Sequence, residues 1–396
     1  MYHRIQNIVK RTQGDRIIWG VVIVLSLISL MAVYSSTGSL AYRMRHGHTE
    51  YYLAKQLGVL LAGLGIIFLA HRLNYVIYSR IAVILFVISV PLLAYTLFNG
   101  TTLNDGARWL KLPGTGITFQ SSDLAKLALF MFFARQLSRI QNDLDNFKRV
   151  GLYIFTPLLI ICGLIALANL STAIMTALTS GVLFFIGRIR FRHLMVLGLS
   201  VIVLFGVLFT VSKLTGFGRA DTWEARLKHF SSKDKEDIPY QVLQAKIAQA
   251  KGGLTGVGPG NSSQRNFLPH PYSDFIYSIV IEEYGLVFGG LGLVFLYLLF
   301  LWRSIIIFRR CPFAFGAFLA VGLSFTLVFQ AFLNMAVNVS LVPVTGLTLP
   351  MVSMGGSSIW FTCMAIGIIL SVSRFVEETE GNNEDVIVEE ISEEKV

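Results

Sequence analysis

The sequence predicts an all-α polytopic membrane protein with about ten transmembrane helices. Of its 396 residues, 54% are hydrophobic and only 14% are charged, and the mean hydropathy is +0.65. Such a composition does not suit a water-soluble surface. A helix needs about 20 mostly apolar residues to cross a bilayer. Ten runs of this kind occur, at 17–34, 53–70, 80–98, 121–137, 151–168, 170–187, 193–212, 276–302, 314–337 and 355–374.

Charge in the connections predicts the orientation of these helices. Ten crossings place both termini on one side, where the connections carry seventeen Lys and Arg, against five in the short connections opposite. Cations collect on the cytoplasmic side of membrane proteins, so both termini are predicted to be cytoplasmic. The first run follows Arg11 and Arg16 and is too long for a signal-peptide core, so we interpret it as a retained helix. The net charge of +10 is therefore explained mostly by the cations of the predicted cytoplasmic connections, and nucleic-acid binding is not favoured.

Three predicted external segments, 99–120, 213–275 and 338–354, are longer than ordinary connections. The large loop 213–275 has apolar residues at helical spacing in 239–248, which predicts an amphipathic helix on the outer interface. Segment 338–354 has two prolines and no charged residue. That composition suits a loop folded back into a cavity.

The end of the chain differs in composition from the membrane body. Residues 376–396 hold nine acidic residues and one lysine, which is typical of a disordered, solvated segment. The sequence therefore predicts a ten-helix membrane domain at 1–375 and an acidic cytoplasmic tail at 376–396.

Common signatures of soluble enzymes are absent from the sequence. It contains no GxxxxGK[ST], HExxH or GxSxG motif, so ATP-driven transport by this chain alone is not predicted. Three cysteines without CxxC spacing predict neither a disulfide framework nor a zinc site. His46 and His48 have no third ligand nearby in sequence. The glycines of 252–260 are interpreted as a flexible loop, with close approach of the backbone to a ligand as the alternative.

Carboxylates near the start of the eighth apolar run are candidate functional residues. Asp274 follows Ser273 at the outer mouth of this run, where an aspartate can cap the helix or act on a substrate. Glu282 and Glu283 lie about two turns deeper, where carboxylates are usually paired or functional. The sequence alone leaves both interpretations open.

A second polar cluster opens the fourth run. Asp123 and Lys126 are three residues apart, so they can pair on one face of a helix, or Lys126 can bind an anion from outside. Arg108 and Lys111 add cations just upstream, beside Trp109. These cations suit a diphosphate at the interface, although snorkelling anchors are the common alternative.

Four motifs are spread over the membrane body. They are Gly106-Ala107-Arg108-Trp109 with Phe119 through Lys126, Gly252-Gly253 through Gly260-Asn261, Leu268 through Phe275 with Glu282 through Gly285, and Asn334 through Ser358. Together they resemble the SEDS family (shape, elongation, division and sporulation), the polytopic peptidoglycan glycosyltransferases. The last motif is more similar to the division branch, FtsW, than to the elongation branch, RodA.

The chain departs from the family pattern near these motifs. Asn169 stands where the family has an aspartate, and Asp123 lies in a Gln-Ser-Ser-Asp segment where the family reads Gln-Pro-Ser-Glu. His270 and Tyr272 replace a glutamate and a histidine. Asp274 itself matches the position regarded as catalytic in the family.

The resemblance implies polymerisation of lipid II at the outer face of the cytoplasmic membrane, by one displacement that inverts the anomeric carbon. Asp274 is then the expected general base for the acceptor hydroxyl. The cations expected to stabilise the departing undecaprenyl diphosphate are Lys126 and Arg108, with Lys111 and Arg226 as secondary candidates. The residues expected to support the site are Asp123, Ser273, Glu282 and Glu283.

The same resemblance implies partners and a location. It implies a class B penicillin-binding protein as transpeptidase partner, other division proteins, and a place in the cytoplasmic (inner) membrane at the septum. No cofactor is required, and participation of a divalent cation, Mg²⁺ or Mn²⁺, stays open. Three alternatives also stay open: an elongation polymerase, a lipid II flippase or transporter, and a non-catalytic scaffold of the division complex.

Overall fold

Helices make up most of the computed structural model, which describes residues 14–45, 48–103, 106–111, 118–216, 219–231 and 238–393. The helices are α1 Arg16–Ser36, α2 Gly38–Arg45, α3 Thr49–Arg72, α4 Tyr75–Asn99, α5 Ser121–Arg139, α6 Phe147–Ala168, α7 Leu170–Ile186, α8 Phe191–Thr215, α9 Ala220–Ser231, α10 Tyr240–Gly252, α11 Ile276–Arg310, α12 Ala314–Asn338 and α13 Ser357–Glu393. A small antiparallel sheet contains β1 Thr101–Leu103, β2 Gly106–Lys111 and β3 Thr118–Gln120, in that order.

Eight helices in the described part of the chain are long and apolar enough to cross a membrane: α1, α3, α4, α6, α8, α11, α12 and the Ser357–Glu380 part of α13. The two other predicted runs are helical as well. α5 carries four charged residues, which is too many for the same criterion of composition. α7 has 17 residues, which is too few for the criterion of length. The all-α multi-pass membrane fold is confirmed, while ten crossings and their orientation stay predictions.

Helix α5 lies inside the bundle although its run is the most charged of the ten. It packs against α4 and α12, and every residue from Ala125 to Ala134 is buried. The ring of Phe133 meets that of Phe184 on α7 edge to face, with centroids 4.8 Å apart. In a bilayer, close packing of this kind holds helices together, because lipid tails are as apolar as the side chains. The burial of α5 keeps the charges of its first turns within the protein.

The glycine-rich segment 252–260 is ordered and lies against a break in α11. The break is at Gly285, which has φ +77°. Gly258 N donates to Glu283 O at 3.0 Å, and a Cβ on Gly256 would lie only 2.3 Å from the same oxygen. The interpretation as a flexible loop is therefore corrected: Gly252 and Gly256 allow one backbone to approach another, and the neighbour is protein.

Described parts of two predicted external segments pack onto the protein. The predicted amphipathic helix is α10, which buries Ala245 and Ala248 and packs on α11. One of its faces is therefore used by protein contacts, and its place at a membrane interface stays a prediction. Loop 339–356 turns back into the bundle, where Leu349 and Val352 are buried. This is the behaviour that its lack of charge predicts.

Helix α13 runs on through the acidic chain end as far as Glu393. Glu377 accepts a hydrogen bond from Gly14 N at 2.9 Å, and Glu380 lies 3.4 Å from Arg310. Composition predicts disorder from 376, whereas the helix continues there because its first carboxylates find donors on neighbouring segments. The side chains beyond Glu380 lie outside the described part of the chain.

Candidate active site

A cavity of about 440 Å³ lies where loop 339–356, the turn 269–274 and the first turns of α5 meet. Most of its lining side chains are polar or charged. The ionisable lining residues are Asp123, Lys126, Arg219, Arg226, His270 and Asp274, and the amides are Gln120, Asn169, Gln241 and Gln330. The cavity thus brings together five of the predicted site residues, namely Asp274, Ser273, Asp123, Lys126 and Arg226.

Asp274 lies on the turn 269–274 just before α11. The N-cap of the helix is the next residue, Phe275, which makes no side-chain capping bond. The N-cap position therefore falls one residue after Asp274. Phe275 is fully buried against Leu268 and Ile279. This apolar anchor fixes the start of the helix, while the carboxylate of Asp274 lines the cavity.

Two asparagines of α12 hold the backbone of Asp274. The side-chain amides of Asn334 and Asn338 donate to Asp274 O at 2.8 and 2.9 Å. Asn338 Oδ1 accepts from Ser278 of α11, at 3.1 Å from N and 2.7 Å from Oγ. A buried amide network in which both donors and acceptors are used is rigid. It ties the position of Asp274 to the α11–α12 interface.

Loop 339–356 holds the preceding residues of the turn. Ser353 Oγ donates to Ser273 O at 2.6 Å, and Met354 N donates to Tyr272 O at 2.9 Å. The backbone around Asp274 is therefore held by both α12 and this loop. Support of this kind places a reactive group before a ligand arrives.

Arg226 of α9 interacts electrostatically with Asp274. Burial and the neighbouring Arg219 lower the pKa of Arg226, and Asp274 opposes that change. A guanidinium nevertheless stays protonated in proteins, so both arginines are cations. Arg219 also lines the cavity. Guanidinium groups of this kind favour a carboxylate or phosphate ligand.

Lys126 and Asp123 form the ion pair that their spacing predicts. Lys126 Nζ lies 2.9 Å from Asp123 Oδ1 and donates to Gln330 Oε1 at 3.0 Å. Ser358 Oγ donates to Asp123 Oδ2 at 2.5 Å. An ammonium has three N–H donors. Counting partners among the described residues, Lys126 keeps one donor for an anionic ligand.

Asn169 lines the cavity at the junction of α6 and α7. Its Nδ2 donates to Thr172 Oγ1 at 2.5 Å. The amide brings no negative charge to this part of the cavity wall. Within the described lining, three cations therefore face two carboxylates, with His270 in addition. This balance favours an anionic ligand.

Glu282 and Glu283 lie behind the cavity and not in its wall. Glu282 accepts hydrogen bonds from Ser262 Oγ at 2.5 Å and from Ser263 N and Oγ at 3.1 Å each. Glu283 accepts from Ser35 Oγ of α1. Both carboxylates therefore accept hydrogen bonds from serines. Glu282 fastens the segment after α10 to α11, and Glu283 fastens α11 to α1.

Arg108 and Lys111 belong to β2, whose Trp109 reaches the cavity wall. Their own side chains lie outside the described part of the chain, so their expected role stays a prediction. His46 also lies outside it. The residues that the structure does describe contain no group of three or more His, Cys, Asp or Glu able to hold a metal ion.

Several polar residues of the site were not identified from sequence. Gln330, Asn334 and Asn338 recur every four residues in the apolar run of α12, which places them on one helix face. Polar groups at this spacing inside a membrane segment are a signal for a functional face. Arg219 carries no such signal, because it lies in a long loop with several other cations.

Two apolar grooves adjoin the polar cavity, and residues of α9 line both. The first, of about 230 Å³, includes Ile174 and Met175 of α7, and the second, of about 600 Å³, lies beside α10 and includes Phe230. Both share Arg226 and Val344 with the polar cavity. A ligand with a charged head and an apolar chain can place each part in matching surroundings.

These features define a multi-pass membrane protein with a charged cavity at one end of its helical bundle. The sequence model of the protein family FtsW/RodA/SpoVE, which is described as a family of cell cycle proteins, matches residues 15–378. The chain belongs to this family, and the resemblance carried by the four motifs is confirmed.

Relatives of known name cover nearly the whole chain. The chain is 31% identical over 381 residues to stage V sporulation protein E of Bacillus subtilis (strain 168), covering 92% of this chain and 98% of that protein. It is 32% identical over 375 residues to the probable peptidoglycan glycosyltransferase FtsW of Coxiella burnetii (strain RSA 493 / Nine Mile phase I), covering 91% and 96%.

Solved structures show the same fold. The rod shape determining protein RodA of Thermus thermophilus matches with a TM-score of 0.61 and 27% identity, over 91% of this chain and 97% of that chain. A chain from a peptidoglycan synthase complex, whose structure concerns the coordination of polymerization and crosslinking, matches with a TM-score of 0.66 and 26% identity, over 92% and 98%.

Proposed function

We propose that this protein is a peptidoglycan glycosyltransferase that polymerises lipid II at the outer face of the cytoplasmic membrane. The observation that carries the proposal is Asp274, held rigidly in a cavity that also contains Lys126, Arg219 and Arg226. The names of relatives at about 30% identity support a glycosyltransferase.

Asp274 is the general base in this proposal. The 4-hydroxyl of GlcNAc on one lipid II attacks the anomeric carbon of MurNAc on another, and Asp274 accepts the hydroxyl proton as the new C–O bond forms. The carboxylate must be ionised for this step, and the positive charge of Arg226 favours the ionised form. The two asparagines of α12 hold the base in place, and correct placement is a large part of catalysis.

The cations of the cavity stabilise the leaving group. Undecaprenyl diphosphate gains negative charge as the glycosidic bond to it breaks, and fixed cations lower the energy of that state. Lys126, Arg219 and Arg226 are in the described cavity wall, and Arg108 and Lys111 remain candidates from sequence. A single displacement of an α-linked donor gives a β-linked product, so no covalent enzyme intermediate is needed.

The apolar grooves suit the lipid part of the substrate. They open from the polar cavity at Arg226, which is where a diphosphate would join a polyprenyl chain. A lipid chain can therefore stay in apolar surroundings while its headgroup enters the cavity. This continuity favours a lipid-linked sugar over a free nucleotide sugar.

Within the family, we place the protein in cell division. The motif within 334–358 and relatives named FtsW support this role, and the similar chain from a peptidoglycan synthase complex supports a class B penicillin-binding protein as partner. Depletion in cells tests the branch: filaments without septa are expected, whereas rounded cells would assign the protein to elongation.

The activity itself is tested with the full chain in proteoliposomes that contain labelled lipid II, with and without the synthase partner. The expected product is a ladder of glycan chains that a muramidase digests. A parallel assay follows movement of lipid II between leaflets. Translocation without polymer would contradict the proposal and support a flippase.

A further inference from the structure

The turn that carries Asp274 also brings an imidazole to the cavity. His270 lies four residues before Asp274 and lines the same polar cavity. Its backbone is left-handed, with φ +53°, a conformation that is unfavourable for a residue with a Cβ. Ser273 N closes the turn by donating to His270 O at 3.0 Å. Strained residues persist where the surrounding structure holds them, and they concentrate at functional sites.

Tyr272 contacts one of the two ring nitrogens of His270. The Tyr272 hydroxyl lies 3.0 Å from His270 Nδ1, and the two rings are nearly perpendicular with centroids 5.9 Å apart. Burial raises the pKa of Tyr272, and the nearby Tyr52 and Asp274 raise it further. The phenol therefore keeps its proton and can donate a hydrogen bond to Nδ1; in the neutral tautomer that accepts this bond, the imidazole carries its N–H at Nε2.

The surroundings of His270 select the kind of ligand atom that it can meet. It lines the polar cavity, but it is not among the described residues of either apolar groove. The group within its reach is therefore part of a polar headgroup and not of a lipid chain. In the tautomer that accepts from Tyr272, Nε2–H is a donor, so the complementary atom is an acceptor oxygen, such as a carbonyl or carboxylate oxygen.

We propose that His270 is a substrate-binding residue that donates a hydrogen bond from Nε2 to an acceptor oxygen of the saccharide–peptide headgroup, with Tyr272 holding the required tautomer. This inference rests on the proposed function, because it takes the headgroup of a lipid-linked saccharide as the ligand. Proton transfer is assigned to Asp274. Loss of His270 therefore weakens binding and leaves the chemical step largely intact.

Matched substitutions separate the donor from the rest of the side chain. His270→Leu removes the donor at similar size, and His270→Asn keeps an N–H donor. With the full chain in lipid nanodiscs and labelled lipid II, His270→Leu is expected to raise KM roughly threefold to tenfold, the effect of one hydrogen bond, with kcat within about twofold of wild type. The KM of His270→Asn should lie between those of the wild type and His270→Leu. Tyr272→Phe should raise KM less than His270→Leu does. His48→Leu, an exposed histidine outside the cavity lining, should change neither constant.

A binding measurement distinguishes this inference from the proposed function. The affinity of fluorescent lipid II for Asp274→Asn, with and without His270→Leu, does not depend on turnover. A loss of affinity of at least roughly threefold supports the role of His270 even in a protein that does not polymerise. Unchanged affinity in a variant with the wild-type melting temperature would overturn it. A fall in kcat at constant KM would also overturn it, because His270 would then act in the chemical step. Where His270→Leu melts early, His270→Met, which also lacks an N–H donor, replaces it in the comparison with His270→Asn, and equal affinities of these two variants would overturn the inference.

Discussion

The buried ion pair of α5 shows how single residues combine support with binding. Asp123 uses one oxygen for Lys126 and the other for Ser358, while Lys126 also reaches Gln330 across to α12. Each charge is thus compensated, which a buried charge requires. The pair also keeps an ammonium group at the cavity wall.

Lys126→Gln and Asp123→Asn test this pair. Removal of one partner leaves the other charge buried and should lower the free energy of unfolding by about 3–5 kcal/mol. The double variant should be more stable than the sum of the single changes predicts, yet inactive because the cation is gone. Thermal unfolding in detergent and lipid II polymerisation measure the two effects. Strict additivity of the stability changes would show that the two charges do not interact.

The break in α11 is the element that joins the Gly-rich segment to the helix carrying the Asp274 turn. Its backbone contacts are close enough that a methyl group cannot enter at Gly256. The flanking carboxylates Glu282 and Glu283 are bound to serines of neighbouring segments. Backbone contacts and these carboxylates therefore fasten the Gly-rich segment and the segment after it to the break in α11.

Gly256→Ala and Gly260→Ala form a matched pair that tests the close contact. Both glycines have positive φ, +83° and +77°, but a Cβ meets Glu283 O at 2.3 Å at Gly256 and nothing within 4 Å at Gly260. Gly260→Ala should cost about 1–2 kcal/mol from backbone strain alone. Gly256→Ala should cost clearly more, measured as thermal stability. Equal losses would mean that backbone conformation, and not packing, requires these glycines.

Considered as a whole, the bundle is fastened at the end away from the cavity by Asp15. Its carboxylate caps α1 by accepting from Ile17 N and Ile18 N, and it lies 2.6 Å from Arg303 of α11. Its own N–H donates to Ser373 of α13 at 3.0 Å. One residue thus connects three helices at the end predicted to be cytoplasmic.

Asp15→Ala should destabilise the bundle without altering the site. Loss of the buried partner of Arg303 should lower the free energy of unfolding by about 3 kcal/mol. Asp145→Ala, which removes an exposed pair with Arg190, should cost at most about 1 kcal/mol. Since α1 is about 30 Å long, kcat per folded molecule should stay at the wild-type value. A large fall in kcat at full stability would show that this end communicates with the cavity.

The fold class and the chemically distinctive part of the site follow from the sequence. Apolar runs predict the helices because a helix that crosses a bilayer needs about 20 apolar residues. The i,i+3 spacing predicts the ion pair of Asp123 and Lys126. The contacts that hold Asp274 could not be predicted, because Asn334 and Asn338 meet it across the fold. The helical start of the chain end was also missed, since composition does not reveal the partner of Glu377.

The central claim is that the carboxylate of Asp274 is the general base, and the most direct measurement is the rate of lipid II polymerisation by Asp274→Asn. The amide keeps the size of the side chain but cannot accept the hydroxyl proton. We expect the rate to fall by at least roughly 100-fold, with the affinity for lipid II and the melting temperature retained. Asp221→Asn, on the exposed face of α9, should polymerise at the wild-type rate. Polymerisation by Asp274→Asn at the wild-type rate would contradict the account.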